Sequence, residues 1–538
     1  MSHSPAGNRF PPPGVMQVEV FRHLFAAIAE EMGGVLRRAA SSPNIKERRD
    51  YSCAVFSPSG APVAQGDHLP VHLGAMPRSL VAARRAFPHL GEGDVVILND
   101  PFEGGTHLPD ITLVAPAFSE DGGVLLGFAV VRAHHADIGG MSPGSMPLAR
   151  EIFQEGLRIP PVLLQRRGDR VEEVWRILLA NVRTPHEREG DLTAQLGALT
   201  KGIARMRELG VRYGADGLLQ AQRALLDYGD RLVRIGIGRM PDGAWSAEDA
   251  LEDDGMGNGP LTIRVRLEMR NGRVRMDFEG SAPQTTGGVN AVAAVTEAAA
   301  RYVLRCVVEE LIGVDLPAGG GAMNDLDLIL PARSIVNAES PAAVAAGNVE
   351  TSQRITDVLL RAFGAALPDL IPALSQGTMN NLTIGGIDPR TGRPFAYYET
   401  AGGGMGGGPE RPGLSGVHTH MSNTLNTPVE ALEHAYPFRV LRYSLRHGSG
   451  GAGVHPGGEG ILREVELLAP AEVTLLTERR REGPSGAMGG GNGAPGENIL
   501  RRNGSEEHLP SKVNFRGEMG DVICLATPGG GGWGGGLR

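Results

Sequence analysis

Three apolar runs punctuated by glycine, at residues 94–98, 111–115 and 124–131, constrain this chain more than any other feature, because together they dictate an antiparallel sheet with a polar rim. DVVIL ends at Asn99-Asp100-Pro101, the Gly104-Gly105 loop turns the chain back into the second run, and the Asp121-Gly122-Gly123 turn sends it out again. This meander predicts Asp100, His107, Asp110 and His134 on one rim, with His135 and Asp137 just beyond. Carboxylate and imidazole are the donors that a divalent metal in a hydrolytic or carboxylating site takes. An isolated His-x-x-Asp pair serves equally well to brace a long loop; the arrival of the second cluster, HHAD, at the same rim favours the metal.

Asp50 is a further candidate, at the end of a hairpin that the Pro58-Ser59-Gly60 turn predicts for residues 51–56 and 62–65, although Arg48 and Arg49 also offer it an ion pair. His68 and His72 read as core histidines bonded to backbone carbonyls. Helical spacing marks residues 18–38 and then 191–237, the latter a helical hairpin broken at Gly214. Leu261, Ile263, Val265, Leu267 and Met269 alternate with polar residues, turn at Asn271-Gly272 and return through Val274, Met276 and Phe278, which predicts a tight β-hairpin. Helices near 295–312 and 351–363 and a β-rich stretch from 438 to 526 complete an α+β reading: mixed and antiparallel sheets with packed helices. A break among the acidic and glycine residues at 252–259 divides it into a region 1–255 carrying the rim and a β-rich region 256–538.

A formal charge of −9 with no long basic run argues against nucleic acid and anionic membrane as partners. The basic cluster Arg479-Arg480-Arg481, flanked by Glu478 and Glu482, reads as a solvated face. Cys53, Cys306 and Cys524 form no C-x-x-C pair and sit in apolar contexts, so they read as buried and inert. The first fourteen residues lack a signal-peptide core and no stretch is long enough to span a bilayer, which predicts a cytoplasmic protein. Glycine, 78 of 538 residues, is about twice its usual share, and its runs at 402–408, 489–493 and 529–536 lack the Lys-Ser/Thr of a phosphate-binding loop. They read as flexible or close-packing loops, the last as a tail that docks on a partner.

RRDYSCAVFSPSGAPVAQGDHLPVHLGAM, NDPFEGGTHLPDITLV, RAHHADIGGMSPGSMP, GNVETSQRITDVLL, QGTMNNLTIGG, NTLNTPVEALEHAYPFRV and ATPGGGGWG, in that order, resemble the hydantoinase B/5-oxoprolinase family over residues 18–533. The resemblance implies a divalent metal, Mn, Fe or Zn, held by Asp50, His107, Asp110 and His134, with His135 and Asp137 as acid/base or ligand-orienting groups. It also implies the hydrolytic B component of a hetero-oligomeric, ATP-dependent cyclic amidohydrolase. In that scheme ATP is bound by an A-type partner that phosphorylates the amide oxygen of a hydantoin, lactam or 5-oxoproline, and water activated at the metal then opens the ring. The family's carboxylase branch, acting on ketones such as acetone or acetophenone, is the alternative activity, and a non-catalytic scaffold is a third.

Overall fold

The structure, a computed structural model, describes residues 14–66, 68–317 and 325–535. The first part of the chain forms a seven-stranded sheet from β1 (Tyr51–Phe56), β2 (Pro62–Gln65), β3 (Val95–Leu98), β4 (Asp110–Phe118), β5 (Leu125–His134), β6 (Val162–Arg166) and β7 (Asp169–Arg170), in the order β2-β1-β5-β4-β3-β6-β7 and antiparallel throughout. Its central strands are buried on both faces. Cys53, Val55, Leu113, Ala115, Ala129 and Val131 point to one core; Ala54, Phe56, Val114, Phe128 and Val130 point to another, against Met76, Leu80 and Ala83. Burial on both sides is why these strands read as continuous apolar runs rather than as alternation.

Of the helices α1 (Val15–Ala39), α2 (Pro43–Lys46), α3 (Pro70–Ala86), α4 (Glu172–Ala180), α5 (Pro185–Tyr213) and α6 (Ala215–Ile237), α5 and α6 form the expected helical hairpin about Gly214. Next come β8 (Gly243–Leu251), β9 (Leu261–Arg270), β10 (Arg273–Asp277) and β11 (Leu326–Ile329), a sheet ordered β11-β10-β9-β8 whose β10–β11 pair is parallel. The β9–β10 hairpin turns as its sequence dictates, with φ of 52° at Asn271 and 71° at Gly272. Helices α7 (Ala293–Ile312) and α8 (Ser352–Ala366) join the core shared with the first sheet, a cluster that runs from Val18 to Leu476.

The remaining strands are β12 (Asn381–Asp388), β13 (Arg393–Glu399), β14 (Phe438–Arg446), β15 (Gly460–Leu467), β16 (Ala471–Leu476), β17 (Glu497–Arg502), β18 (Ser505–Leu509), β19 (Lys512–Gly517) and β20 (Val522–Ala526). They form two sheets, β13-β12-β16-β19 and β14-β15-β20-β17-β18, and Ile384, Phe395, Phe438, Val465 and Val473 share one core. The architecture is α+β, with mixed and antiparallel sheets and packed helices.

Two expectations are corrected here. The final glycine run, as far as Gly535, is not a tail for a partner but packs within the chain: Gly404 N–H donates to Pro528 O (3.0 Å), Gly407 N–H to Gly531 O (2.8 Å) and Gly451 N–H to Gly530 O (2.8 Å). Backbones meet so closely that a Cβ on Gly530 would lie 2.0 Å from the Met405 carbonyl oxygen. Nor is the basic cluster a solvated face. Arg479 is buried between Asp357 (2.6 Å) and Asp249 (2.7 Å), and Arg480 donates to Asn380 (2.8 Å) and Asn498 (3.0 Å), leaving only Arg481 exposed. Carboxylates far away in sequence compensate charges that locally look as if they belong in water.

Candidate metal centre

Strand register builds the site. In the β4–β5 ladder Asp110 stands directly opposite His134, and the His134 backbone N–H donates to Asp50 O (3.0 Å), so three predicted residues meet at one end of the sheet. The loop that carries His107 is pinned by Asn99, whose amide donates to Leu108 O (2.7 Å) and Leu157 O (3.0 Å) and accepts from the Ile159 N–H (2.6 Å).

Asp110 is the hub. Its Oδ1 lies 3.1 Å from His107 Nε2, 3.3 Å from His134 Nδ1 and 3.2 Å from His72 Nε2, while its Oδ2 accepts from Thr106 Oγ1 (2.7 Å) and Asn348 Nδ2 (3.3 Å). His107, Asp110 and His134 are all buried, and one ligand atom from each falls within 4.8 Å of the others, the grouping that can hold a metal ion. His107 Nδ1 faces the carbonyl of Ala345 at 3.2 Å. A carbonyl only accepts, so Nδ1 carries the hydrogen and Nε2 is left with a lone pair. His107 Nε2, Asp110 Oδ1 and His134 Nε2 are buried without a hydrogen-bond partner among the described residues. Unpaired buried donors of this set fit a divalent cation of the Mn, Fe or Zn kind.

Electrostatics agrees. Burial acts to raise the Asp110 carboxyl, but the imidazoles of His107 and His72 beside it outweigh that and hold it well below the usual range. Burial lowers His134, with Asp50 and Asp110 opposing, so its imidazole is neutral, the form that ligates. The His134 ring stacks on Tyr398 at 4.2 Å, and Arg48 covers that tyrosine at 5.0 Å.

The other predicted residues are placed differently. Asp50 is buried beside His134, 3.8 Å from Arg48 Nη2, and outside the three-residue group. His135 Nε2 meets Gln195 Oε1 on α5 at 2.9 Å, and burial first, then Arg188, lowers its imidazole to about 4. Asp137 accepts from the backbone N–H of Arg183 (2.7 Å) and from its guanidinium (2.9 Å). Asp100 caps the turn Pro101–Glu103 and pairs with Arg158 at 3.0 Å. His68 Nδ1 accepts from the Cys53 N–H at 3.2 Å.

Sequence reasoning missed two residues. His72, read as bonded to a carbonyl, instead spans Ser52 Oγ (3.3 Å) and Asp110, and Asn348, far away in sequence, donates to Asp110. The density of polar residues in NVETSQR was the available signal.

The model of the family described as hydantoinase B/oxoprolinase matches residues 15–535. The chain is 40% identical to an uncharacterised protein of Methanocaldococcus jannaschii, covering 96% of this chain and 90% of that one. It is 39% identical to 5-oxoprolinase 1 of Arabidopsis thaliana across 97% of its own length but only 42% of the plant protein, so it spans about two fifths of such relatives. It is 30% identical to the B component of a putative D-/L-hydantoinase of Pseudomonas sp., covering 94% and 88%. Among solved structures, the ATP-dependent caprolactamase of Pseudomonas jessenii superposes with a TM-score of 0.88 at 29% identity, covering 98% and 92% of the two chains. A nucleotide-free acetone carboxylase shares the fold, with a TM-score of 0.86 at 17% identity over 96% and 75%.

Proposed function

Since this chain belongs to the hydantoinase B/oxoprolinase family, we propose that it is the ring-opening unit of an ATP-dependent hydrolase of cyclic amides, acting on a substrate that an A-type ATP-binding partner has phosphorylated. The observation that carries this reading is the meeting of His107, Asp110 and His134 with unpaired ligand atoms in a buried site. These three would hold the ion, with Asp50, whose backbone carbonyl accepts from the His134 N–H, a further carboxylate beside them. A divalent ion there supplies Lewis acidity, lowering the pKa of a water and stabilising negative charge on oxygen. The chain's own groups do the rest. Asp110 stays anionic, Ala345 fixes the His107 tautomer, Tyr398 sets the plane of His134, and burial excludes bulk water. The hydrogen bonds of His135 and Asp137 to α5 and Arg183 favour holding the rim against its neighbours over moving protons.

A separate ATP-binding partner is supported by the name of the hydantoinase relative, which marks it as one of several components, and by the greater length of the 5-oxoprolinases. Backbone N–H groups of the glycine runs are also spent on neighbouring carbonyls instead of cradling phosphate. The test is metal content by mass spectrometry of the wild type and a His107→Ala, Asp110→Ala double variant, followed by ring-opening assays with ATP and the partner. Near-stoichiometric metal lost in the variant, together with ATP-dependent turnover, is the expected outcome. A wild type that takes up no Mn, Fe or Zn would overturn the reading.

A further inference from the structure

The β4–β5 ladder places a buried cation one step behind the candidate ligands. Thr112 stands opposite Arg132 as Asp110 stands opposite His134, and residues two apart on a strand share a face. Arg132, Thr112, Thr106 and Ser79 are all buried. The guanidinium donates to three hydroxyls and, among the described residues, to no carboxylate: Nε to Thr112 Oγ1 (2.8 Å), Nη2 to Ser79 Oγ on α3 (2.7 Å) and, at longer range, Nη1 to Thr106 Oγ1 (3.5 Å). A cation buried among neutral hydroxyls is a poor way to stabilise a fold, since an apolar side chain of like size would avoid its desolvation. Its use lies in where those hydroxyls point next.

A guanidinium has N–H donors and no acceptor, so each hydroxyl meets it with a lone pair and turns its own hydrogen elsewhere. Ser79 donates to the Gly104 carbonyl (2.5 Å) and Thr106 to Asp110 Oδ2 (2.7 Å). Both contacts fall on the short loop that delivers His107, one at its start and one on the residue directly before the histidine. Asn348 Nδ2 also donates to Asp110 Oδ2 (3.3 Å), so that oxygen is occupied twice over. Oδ1 is left without a hydrogen bond among the described residues, facing His107 Nε2 at 3.1 Å and His134 Nδ1 at 3.3 Å.

We infer that Arg132 is a positioning residue of the metal centre: through the hydroxyls of Ser79 and Thr106 it sets the loop that carries His107 and keeps Asp110 Oδ1, rather than Oδ2, free for the ion. The inference deepens the proposed function and rests on its metal centre.

The experiment needs neither substrate nor partner. Metal-free full-length protein is titrated with Mn2+ by electron paramagnetic resonance, which separates free from bound ion, and is loaded with Co2+ for its visible spectrum, which reports ligand geometry. Arg132→Met leaves the hydroxyls but removes the fork. It should weaken Mn2+ binding by about 10- to 100-fold and alter the Co2+ spectrum, with the fold intact by circular dichroism. Thr106→Val, close to isosteric, should do the same, and Thr106→Ser, which restores the hydroxyl, should return to wild-type values. Because both residues act on one carboxylate, the loss in the double variant Arg132→Met, Thr106→Val should fall short of the product of the single losses. Wild-type affinity and spectrum in Arg132→Met, or in Thr106→Val where Arg132→Met does not fold, would overturn the inference. So would losses that multiply, or a Thr106→Ser protein no better than the valine variant. Each of those results leaves the metal centre standing, whereas a wild type that binds neither Mn2+ nor Co2+ would overturn both.

Discussion

Replacing Glu155 with glutamine tests how a buried proton is linked to folding. Glu155 is 0% exposed, and its Oε1 accepts the N–H groups of Val344 (2.7 Å) and Ala345 (2.9 Å), the segment whose carbonyl fixes His107. Its Oε2 has no partner among the described residues. Burial pushes the carboxyl up from 4.5 to about 8, against the pull of the two backbone N–H groups. The folded chain therefore keeps a proton that the unfolded chain releases, so this contribution to stability is complete below pH 4.5 and is lost as pH rises toward 8. The loss runs at about 1.4 kcal/mol per pH unit and reaches about 3 kcal/mol by pH 7. Glutamine keeps a carbonyl for both N–H groups, places an amide nitrogen where Oε2 stands, and carries no titrating proton. Urea midpoints of the two proteins, compared without metal from about pH 5 to about pH 9, should diverge in favour of Glu155→Gln up to about pH 8 and then run parallel. A difference that stays flat across this range would refute the linkage.

Three further outcomes follow from contacts already described. Removing His72, which holds Asp110 from the Ser52 side, should weaken metal binding by about 10- to 100-fold with the fold intact by circular dichroism, while an unchanged affinity in a metal titration would make it a core residue only. Arg479→Ala should cost about 3–5 kcal/mol in denaturant titration, because Asp357 and Asp249 lose a buried partner; a cost within about 0.5 kcal/mol is what a solvated arginine would give. Gly530→Ala should destabilise by about 1–3 kcal/mol, since its methyl group would overlap the Met405 carbonyl, and a neutral effect on the thermal midpoint would show that these segments can part.

The legible parts of this fold are those whose determinants lie close together in sequence. His107, Asp110 and His134 sit on one meander, so apolar runs and glycine turns were enough to bring them to a shared rim. The hairpins at β1–β2 and β9–β10 and the helical pair α5–α6 were readable for the same reason. Helix α3 was missed: it opens Pro-Val-His-Leu-Gly and carries Pro77 inside, so no clean helical period shows, yet it delivers His72 to Asp110. Strand β8 was missed because its small and charged residues, GAWSAEDAL, lack an apolar face. Asn348 reaches Asp110 across 238 residues, and Arg479 finds Asp249 across 230, separations at which local pattern carries no information about partners.

The distribution of those distant contacts bears on how a single fold serves several reactions. The seven-stranded sheet fixes the positions of the candidate ligands through strand register, which tolerates little change because a slip of one residue would turn Asp110 and His134 to opposite faces. What surrounds the ligands comes instead from the later part of the chain: the Ala345 carbonyl on His107, Asn348 on Asp110, Tyr398 on His134. The site is therefore complete only when both parts are packed, and the continuous core from Val18 to Leu476 is what holds them together. A caprolactamase and an acetone carboxylase both share this fold, so reaction type is written in residues laid on the fold rather than in the fold itself. Loops and turns such as 344–353 can change side chains without disturbing β-register, and it is there that substitutions should alter which substrate the site accepts.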